Sequence, residues 1–235
     1  MIHNSIVIPC YNEAASLPQL LSRLAQVFGD RDDCECLLVD NGSTDGTAGI
    51  LAEAVREHGA WLRTVRVETN RGYGWGILQG LAATRGSMLG WTHADLQTDP
   101  ADVLKGFALL EKQPGQYRFV KGRRYGRPWC DVLFTVGMSF FETLLFGRPL
   151  WDINAQPTLF SRSLYELWQD PPHDFALDLF AYATARKHNA QIGRFPVFFA
   201  PRRHGTSHWN VNWRAKWKFI RRTLNFSFSL KKSWN

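Results

Sequence analysis

The sequence predicts an α/β fold, a mostly parallel central sheet flanked by helices. Three features carry that expectation. Short apolar runs rich in Val, Ile and Leu recur through the first hundred residues, and each ends in a polar cluster. Amphipathic stretches at helical spacing lie between the runs. The runs are apolar on both faces, as strands covered by helices on both sides must be. With 235 residues, 45% of them hydrophobic, the chain is long enough for one large core and too apolar for intrinsic disorder.

Ser5-Ile6-Val7-Ile8-Pro9 reads as a buried strand, followed by a helix over 14–28 with Leu17, Leu20, Leu21 and Leu24 on one face. Residues 36–40 form the next strand. Asn41-Gly42-Ser43-Thr44-Asp45-Gly46 is a turn in which Thr44 or Asp45 caps a helix reaching residue 58. A third strand is expected at 62–67, then a glycine-spaced helix, then a fourth strand at 88–92. The second half is less regular. Residues 132–146 read as a helix apolar nearly all round, 175–187 as a helix and 195–199 as a strand. The last expected helix, 209–224, carries Trp209, Trp213, Trp217, Ile220 and Leu224 at helical spacing beside Arg214, Lys218, Arg221 and Arg222.

No stretch reads as the roughly 20 apolar residues of a membrane span, because Glu142 interrupts the longest candidate, and no signal-peptide pattern is visible. The four cysteines, Cys10, Cys34, Cys36 and Cys130, make neither a disulfide framework nor a metal-ligand set, so a reduced, cytoplasmic chain is expected. The net charge of +7 is uneven. Beyond Asp178 there is no acidic residue, and those 57 residues carry 12 Lys or Arg. A basic end suits an anionic partner such as a phosphate, a membrane surface or a nucleic acid. Nucleic acid is the least expected of these, since no RNA- or DNA-binding motif appears and the strand-end acids would repel phosphates.

Ligands of parallel sheets sit beyond the carboxyl ends of the strands. Here those ends are Pro9-Cys10-Tyr11-Asn12-Glu13, the turn from Asp40 to Asp45, and His93-Ala94-Asp95-Leu96-Gln97. With Val7-Ile8 before the first of them and Val39 before the second, these segments resemble the family 2 glycosyltransferases of the GT-A fold. The branch they are most similar to is that of the dolichol-phosphate mannosyltransferases and bacterial polyprenyl-phosphate glycosyltransferases. The resemblance covers nearly the whole chain. It implies a glycosyltransferase domain over 1–208, with a nucleotide-sugar-binding half at 1–125 and an acceptor half at 126–208, followed by a basic aromatic helix or tail at 209–235.

The resemblance assigns nucleotide-sugar binding to Pro9, Tyr11, Asn12, Glu13, Asp40, Asn41, Gly42, Ser43, Gly72 and Asp95. A carboxylate accepts from a ribose hydroxyl or base N–H, and a tyrosine stacks. Gly72 opens the glycine-rich segment through Gly80, which lacks the Gly-Lys-Ser/Thr ending of a P-loop. Its glycines serve either close approach to a phosphate or tight helix-to-sheet packing. The family's Asp-x-Asp metal site reads His93-Ala94-Asp95 here. A divalent metal, Mg or Mn, is expected at Asp95, with His93 and Gln97 as further candidates. His93 alternatively contacts substrate, or the site is poor in metal.

Gly122-Arg123-Arg124-Tyr125 resembles the family's Gly-x-Arg-Tyr, and Arg202 to His208 its Arg-x-x-Gly-x-Ser-Lys loop. Arg124, Arg202, Ser207 and His208 are thereby expected at a donor or acceptor phosphate, with His208 in the usual place of Lys. By the same resemblance, Asp152 and Gln156 are expected in a segment that shapes the sugar or acceptor pocket. Asp178 is the first candidate for a general base and Asp152 the second, should the acceptor be a hydroxyl. A polyprenyl phosphate is already a nucleophile and needs no base. The implied reaction is inverting transfer of a sugar from a nucleoside diphosphate-sugar to a polyprenyl-phosphate or cell-envelope saccharide acceptor. The apolar helix at 132–146 and the basic tryptophan-lined one either suit peripheral docking on the inner face of the cytoplasmic membrane or are ordinary core, with the tryptophan stripe packed against the sheet. The competing readings are a degenerate, non-catalytic nucleotide-sugar-binding module, motivated by His93 and His208, and a nucleic-acid-binding protein.

Overall fold

The computed structural model describes residues 2–201 and 213–232. Seven strands form one sheet in the order β3-β2-β1-β4-β6-β5-β7. They are β1 (Asn4–Cys10), β2 (Cys34–Asn41), β3 (Leu62–Val67), β4 (Met88–Trp91), β5 (Arg118–Tyr125), β6 (Thr158–Ser161) and β7 (Gln191–Phe198). The helices are α1 (Leu17–Phe28), α2 (Thr47–His58), α3 (Tyr73–Ala82), α4 (Ala101–Glu111), α5 (Trp129–Phe146), α6 (Arg162–Tyr165), α7 (Leu177–Lys187) and α8 (Trp213–Lys232). The pairs β1/β2, β1/β4, β2/β3 and β5/β7 are parallel, and β6 runs antiparallel to both β4 and β5.

Successive side chains of a strand point to opposite faces, and each face has its own helices. Ile6, Ile8 and Leu38 bury against Leu17, Leu20, Leu24, Phe28, Leu51, Val103 and Phe107 of α1, α2 and α4. Val7, Leu37, Val39 and Trp91 bury against Ile77, Leu81, Leu177 and Phe180 of α3 and α7. Each fully buried Leu, Ile or Val contributes about 1.5–3 kcal/mol, so the two-sided sheet is what holds the fold. Gly80 lets α3 lie directly on the sheet, since a Cβ there would meet Val7 and Val39 at 2.4 and 2.8 Å.

Several expected elements shift. The first helix begins at Leu17 rather than at 14, with Pro18 in its first turn, where its missing N–H costs nothing. The last helix extends to Lys232, and its expected first residues, 209–212, lie outside the described residues. The short β6 and helices α4 and α6 carry no separate expectation from the sequence. Glu142 does not exclude a span-length apolar helix. Over 18 residues α5 is long and apolar enough to cross a membrane by length and composition, and only 17% of it is buried.

The topology also locates a crevice. The chain steps outward from β1 to β2 to β3 and then returns to the other side of β1 as β4. Loops leaving β1 and β4 therefore diverge, and a ligand crevice opens between their carboxyl ends.

Candidate active site

The first two strand-end segments are bonded into one wall of that crevice. Asn12, at a positive φ of 55°, donates its backbone N–H to Ser43 Oγ at 3.0 Å and accepts from Thr44 N at 2.9 Å. The Glu13 N–H donates to Thr47 Oγ1 at 2.9 Å, and the Asp45 carboxylate accepts from Ala14 N and Thr47 N. Buried Asp40 accepts from Ser43 N at 2.9 Å, closing the turn after β2. Gly42 is required there by its φ of +74° and by the Asn70 backbone N, 2.6 Å from where a Cβ would sit. Tyr11, at the end of the first segment, is exposed. Cys10, fully buried at the end of β1, has its thiol pushed well up by burial and by Glu13, so it is no nucleophile.

The glycine-rich segment packs against protein. A Cβ on Gly72 would meet His173 O at 2.4 Å, one on Gly74 would meet Pro172 O at 2.6 Å, and one on Gly76 would meet Asn41 Cγ at 2.8 Å. Asn41 Nδ2 donates to Gly72 O at 3.0 Å, tying the segment to the end of β2.

Opposite this wall lies the end of β4. His93 Nε2 and the Tyr73 hydroxyl are hydrogen-bonded at 2.8 Å, and His93 Nδ1 faces Asp95 Oδ2 at 4.0 Å. Burial, then the Asp178 and Asp95 carboxylates, push the Tyr73 hydroxyl well above its ordinary range, so it stays protonated and fixes the imidazole ring. Asp95 Oδ1 accepts from Gln97 N, and Gln97 Nε2 donates to Ala200 O at 3.2 Å. Gln97 thus ties the β4 end to the segment after β7. For a divalent ion the His93 and Asp95 donors fit: an imidazole nitrogen and a carboxylate oxygen face each other across a short gap. Among the described residues there is no group of three or more His, Cys, Asp or Glu that could hold a metal. Diphosphate oxygens and water commonly complete the shell of Mg2+ or Mn2+. The imidazole favours Mn2+ of the two.

In the second half of the chain both candidate bases, Asp178 and Asp152, are engaged. Asp178 is buried, and its Oδ1 accepts from Lys121 Nζ at 3.1 Å and from Gln156 Nε2 at 2.9 Å. Lys121 is buried too and also donates to Thr158 Oγ1, its cross-strand neighbour. Burial pulls the Lys121 ammonium down to about 8, against the pull of Asp178. Asp152 receives Arg124 Nε at 2.9 Å and Arg124 N at 2.9 Å, with Arg127 and Arg194 guanidinium nitrogens at 3.8 and 4.0 Å. Burial raises its carboxyl, but Arg124 and Arg127 outweigh this and hold it below the usual range. Three guanidiniums share one carboxylate there, and the buried Arg127 Nε has no partner among the described residues.

The structure therefore gathers Tyr11, Asn12, Glu13, Asp40, Asn41, Gly42 and Ser43 on one wall and His93, Asp95 and Gln97 on the other. It groups Gln156 with Asp178, and Arg124 with Asp152. Arg202, Ser207 and His208 lie outside the described residues. Sequence reasoning passed over Tyr73, Lys121, Arg127 and Arg194. Lys121 alone left a signal, as a charge at the inner end of the apolar run Phe119-Val120, just before the Gly122 motif.

The family model for glycosyl transferase family 2 matches residues 5–177. An undecaprenyl-phosphate 4-deoxy-4-formamido-L-arabinose transferase of Pseudomonas fluorescens is 31% identical over 215 residues, covering 86% of this chain and 59% of that protein. The enzyme of that name from Klebsiella pneumoniae is 35% identical over 145 residues, 61% of this chain and 43% of that protein. The chain thus spans about half the length of these relatives. An uncharacterized glycosyltransferase of Mycobacterium bovis is 30% identical over 208 residues, with 86% of this chain and 88% of that one covered. Among solved structures, glucosyl-3-phosphoglycerate synthase of Mycobacterium tuberculosis in complex with UDP superposes with a TM-score of 0.75 at 18% identity, covering 98% of this chain and 80% of that one. The mannosyltransferase of Pyrobaculum calidifontis in complex with GDP-Man and Mn2+ gives 0.65 at 21% identity, covering 86% and 58%. These structures share the fold, and the crevice between β1 and β4 lies at its topological switch point. The chain belongs to glycosyl transferase family 2.

Proposed function

We propose that this glycosyltransferase moves a sugar from a nucleoside diphosphate-sugar to a polyprenyl phosphate, with inversion at the anomeric carbon. The observation that carries the choice of acceptor is the state of the acceptor-half acids. Asp178 is buried against an ammonium and an amide, and Asp152 is shared by three guanidiniums. A carboxylate oxygen already taken by ammonium, amide or guanidinium donors is not free to receive a proton from an acceptor. An alcohol acceptor needs a base, whereas a phosphate monoester attacks as the anion it already is. The undecaprenyl-phosphate names of the relatives point the same way.

The donor's nucleoside lies on the wall of Tyr11, Glu13 and Asp40, with Tyr11 stacking and the acids accepting from ribose or base. His93 and Asp95 would hold the divalent ion, with Gln97 positioning Asp95 through its backbone N–H. When bound, the metal neutralises charge on the leaving diphosphate. Arg124 and Arg127, which outnumber the single carboxylate they share with Arg194, face the acceptor phosphate and orient it. Asp178, with Lys121 and Gln156, sets the floor beneath the sugar rather than moving a proton. The enzyme works at the inner membrane face, where such an acceptor resides.

Two measurements test this reading. A melting panel with UDP, GDP and CMP and their sugars, each with Mn2+, Mg2+ or EDTA, should show one nucleotide whose stabilisation needs metal. At 100 times Kd this amounts to about 2.7 kcal/mol. The matching sugar donor should then label undecaprenyl phosphate in detergent. Transfer to a saccharide hydroxyl with none to the lipid phosphate would overturn the acceptor assignment.

A further inference from the structure

Helix α5 is built inside out. Trp129, Leu133, Val136, Phe140 and Leu144, at helical spacing on one face, are 46–75% exposed. No residue of α5 with a charged, hydroxyl or amide side chain is exposed. Its polar residues turn inward instead. Thr135 accepts from Arg127 at 2.9 Å, Ser139 from the Asp152 N–H at 2.9 Å, Thr143 from the Leu150 N–H at 3.0 Å, and buried Glu142 from Ser227 Oγ at 2.6 Å. An ordinary surface helix has the opposite arrangement. A stripe of five large apolar side chains over four turns is a contact surface.

Helix α8 extends that surface and gives it a charge. It lies along α5 through the Glu142–Ser227 bond and the edge-on Phe141–Phe228 contact, with ring centroids 6.0 Å apart. Trp217 and Phe228 are exposed on it, with exposed Arg221 at the same helical face. No acidic residue exists anywhere in the chain beyond Asp178. Aromatic side chains interleaved with Arg on an amphipathic helix match the boundary between acyl chains and anionic headgroups. A second copy of the chain fits less well, because a two-fold contact would set one basic α8 against another.

We infer that the paired faces of α5 and α8 seat on an anionic lipid bilayer surface. The α5 stripe enters the acyl boundary, and Arg221 of α8 meets the headgroups. Helix α5 starts four residues after Tyr125, so docking places the Arg124–Arg127 cluster at the headgroup level, where a lipid phosphate reaches it without leaving the bilayer. This deepens the acceptor reading above and rests on it for that last step alone.

The experiment is co-sedimentation of the full chain with phosphatidylcholine vesicles, with and without about 30% phosphatidylglycerol. The wild type should partition at least about tenfold better onto the anionic vesicles. Leu133→Asn with Phe140→Asn should lower that partitioning at least about tenfold while keeping the wild-type circular dichroism. A second readout needs no variant. Cys130 is the one exposed cysteine of the four, so a solvatochromic dye placed there reports on α5 alone. Its emission should shift to the blue on anionic vesicles and be quenched by brominated acyl chains. A wild type that stays in the supernatant with an unshifted dye overturns the inference. So does a concentration-dependent dimer, without vesicle binding, that the double substitution dissolves. The nucleotide melting shift, read without vesicles, tests the donor assignment separately, so failure of one reading is not mistaken for failure of the other.

Discussion

The two halves of the sheet treat charge in opposite ways. At the ends of β1 and β2, polar side chains bond loop backbone, and Asn12 and Asp45 stay exposed beside the buried Asp40. Asn12, Asp40 and Asp45 each accept from loop N–H groups. Around β5, β6 and α7, charges are buried and paired within the protein, Lys121 with Asp178, and Arg124, Arg127 and Arg194 around the single Asp152. The difference separates two tasks. Groups that meet a changing ligand have to keep some solvent or a loose partner. Buried charged groups are held at least cost when each has an opposite charge beside it. On this basis substitutions in the acceptor half should cost folding, and those at the β4 end should cost turnover.

The largest effect expected is on folding. Asp152→Ala leaves three guanidiniums with no shared carboxylate and should lower unfolding free energy by about 3–5 kcal/mol in urea denaturation. A loss under about 1 kcal/mol would mean the cluster is solvated and the contrast between the halves is false. Asp95→Ala should do the reverse, with kcat lower by about 100- to 1000-fold and the melting temperature little changed. Unaltered kcat would remove Asp95 from the site.

The Lys121–Asp178 pair sharpens the same contrast. Lys121→Met should destabilise by about 3 kcal/mol by stranding Asp178, and adding Asp178→Asn should restore much of the loss. Strict additivity of the two changes would show that the pair is not coupled. The smallest effect is that of pH on the α5–α8 contact. Burial raises the Glu142 carboxyl to about 7, despite its bond from Ser227. The folded state therefore holds the proton more tightly than the unfolded chain. This stabilisation is complete below about pH 4.5 and is lost as pH rises through about 7. Over that window it amounts to at most about 3 kcal/mol. Glu142→Gln should flatten that part of the stability–pH curve, as read by chemical denaturation at pH 5 and 8, and an unchanged slope would assign the dependence to another group.

The amino-acid sequence by itself determined the α/β alternation, the three strand-end segments and the family they mark. These are local facts. Apolar period and turn chemistry act over a few residues, so Leu17 to Leu24 and Asn41 to Gly46 are legible without knowing their neighbours. The tertiary structure alone decided which charges cancel and which faces stay open. Lys121 meets Asp178 from 57 positions away, Glu142 meets Ser227 from 85, and Tyr73 meets His93 from 20. Periodicity showed that α5 is apolar nearly all round. That its polar residues face the protein and its large apolar ones face outward was set by where Arg127, Asp152 and Ser227 lie. The physical reason is that burial and pairing belong to distances in space, whereas a linear pattern records only what lies within a turn or two of the chain.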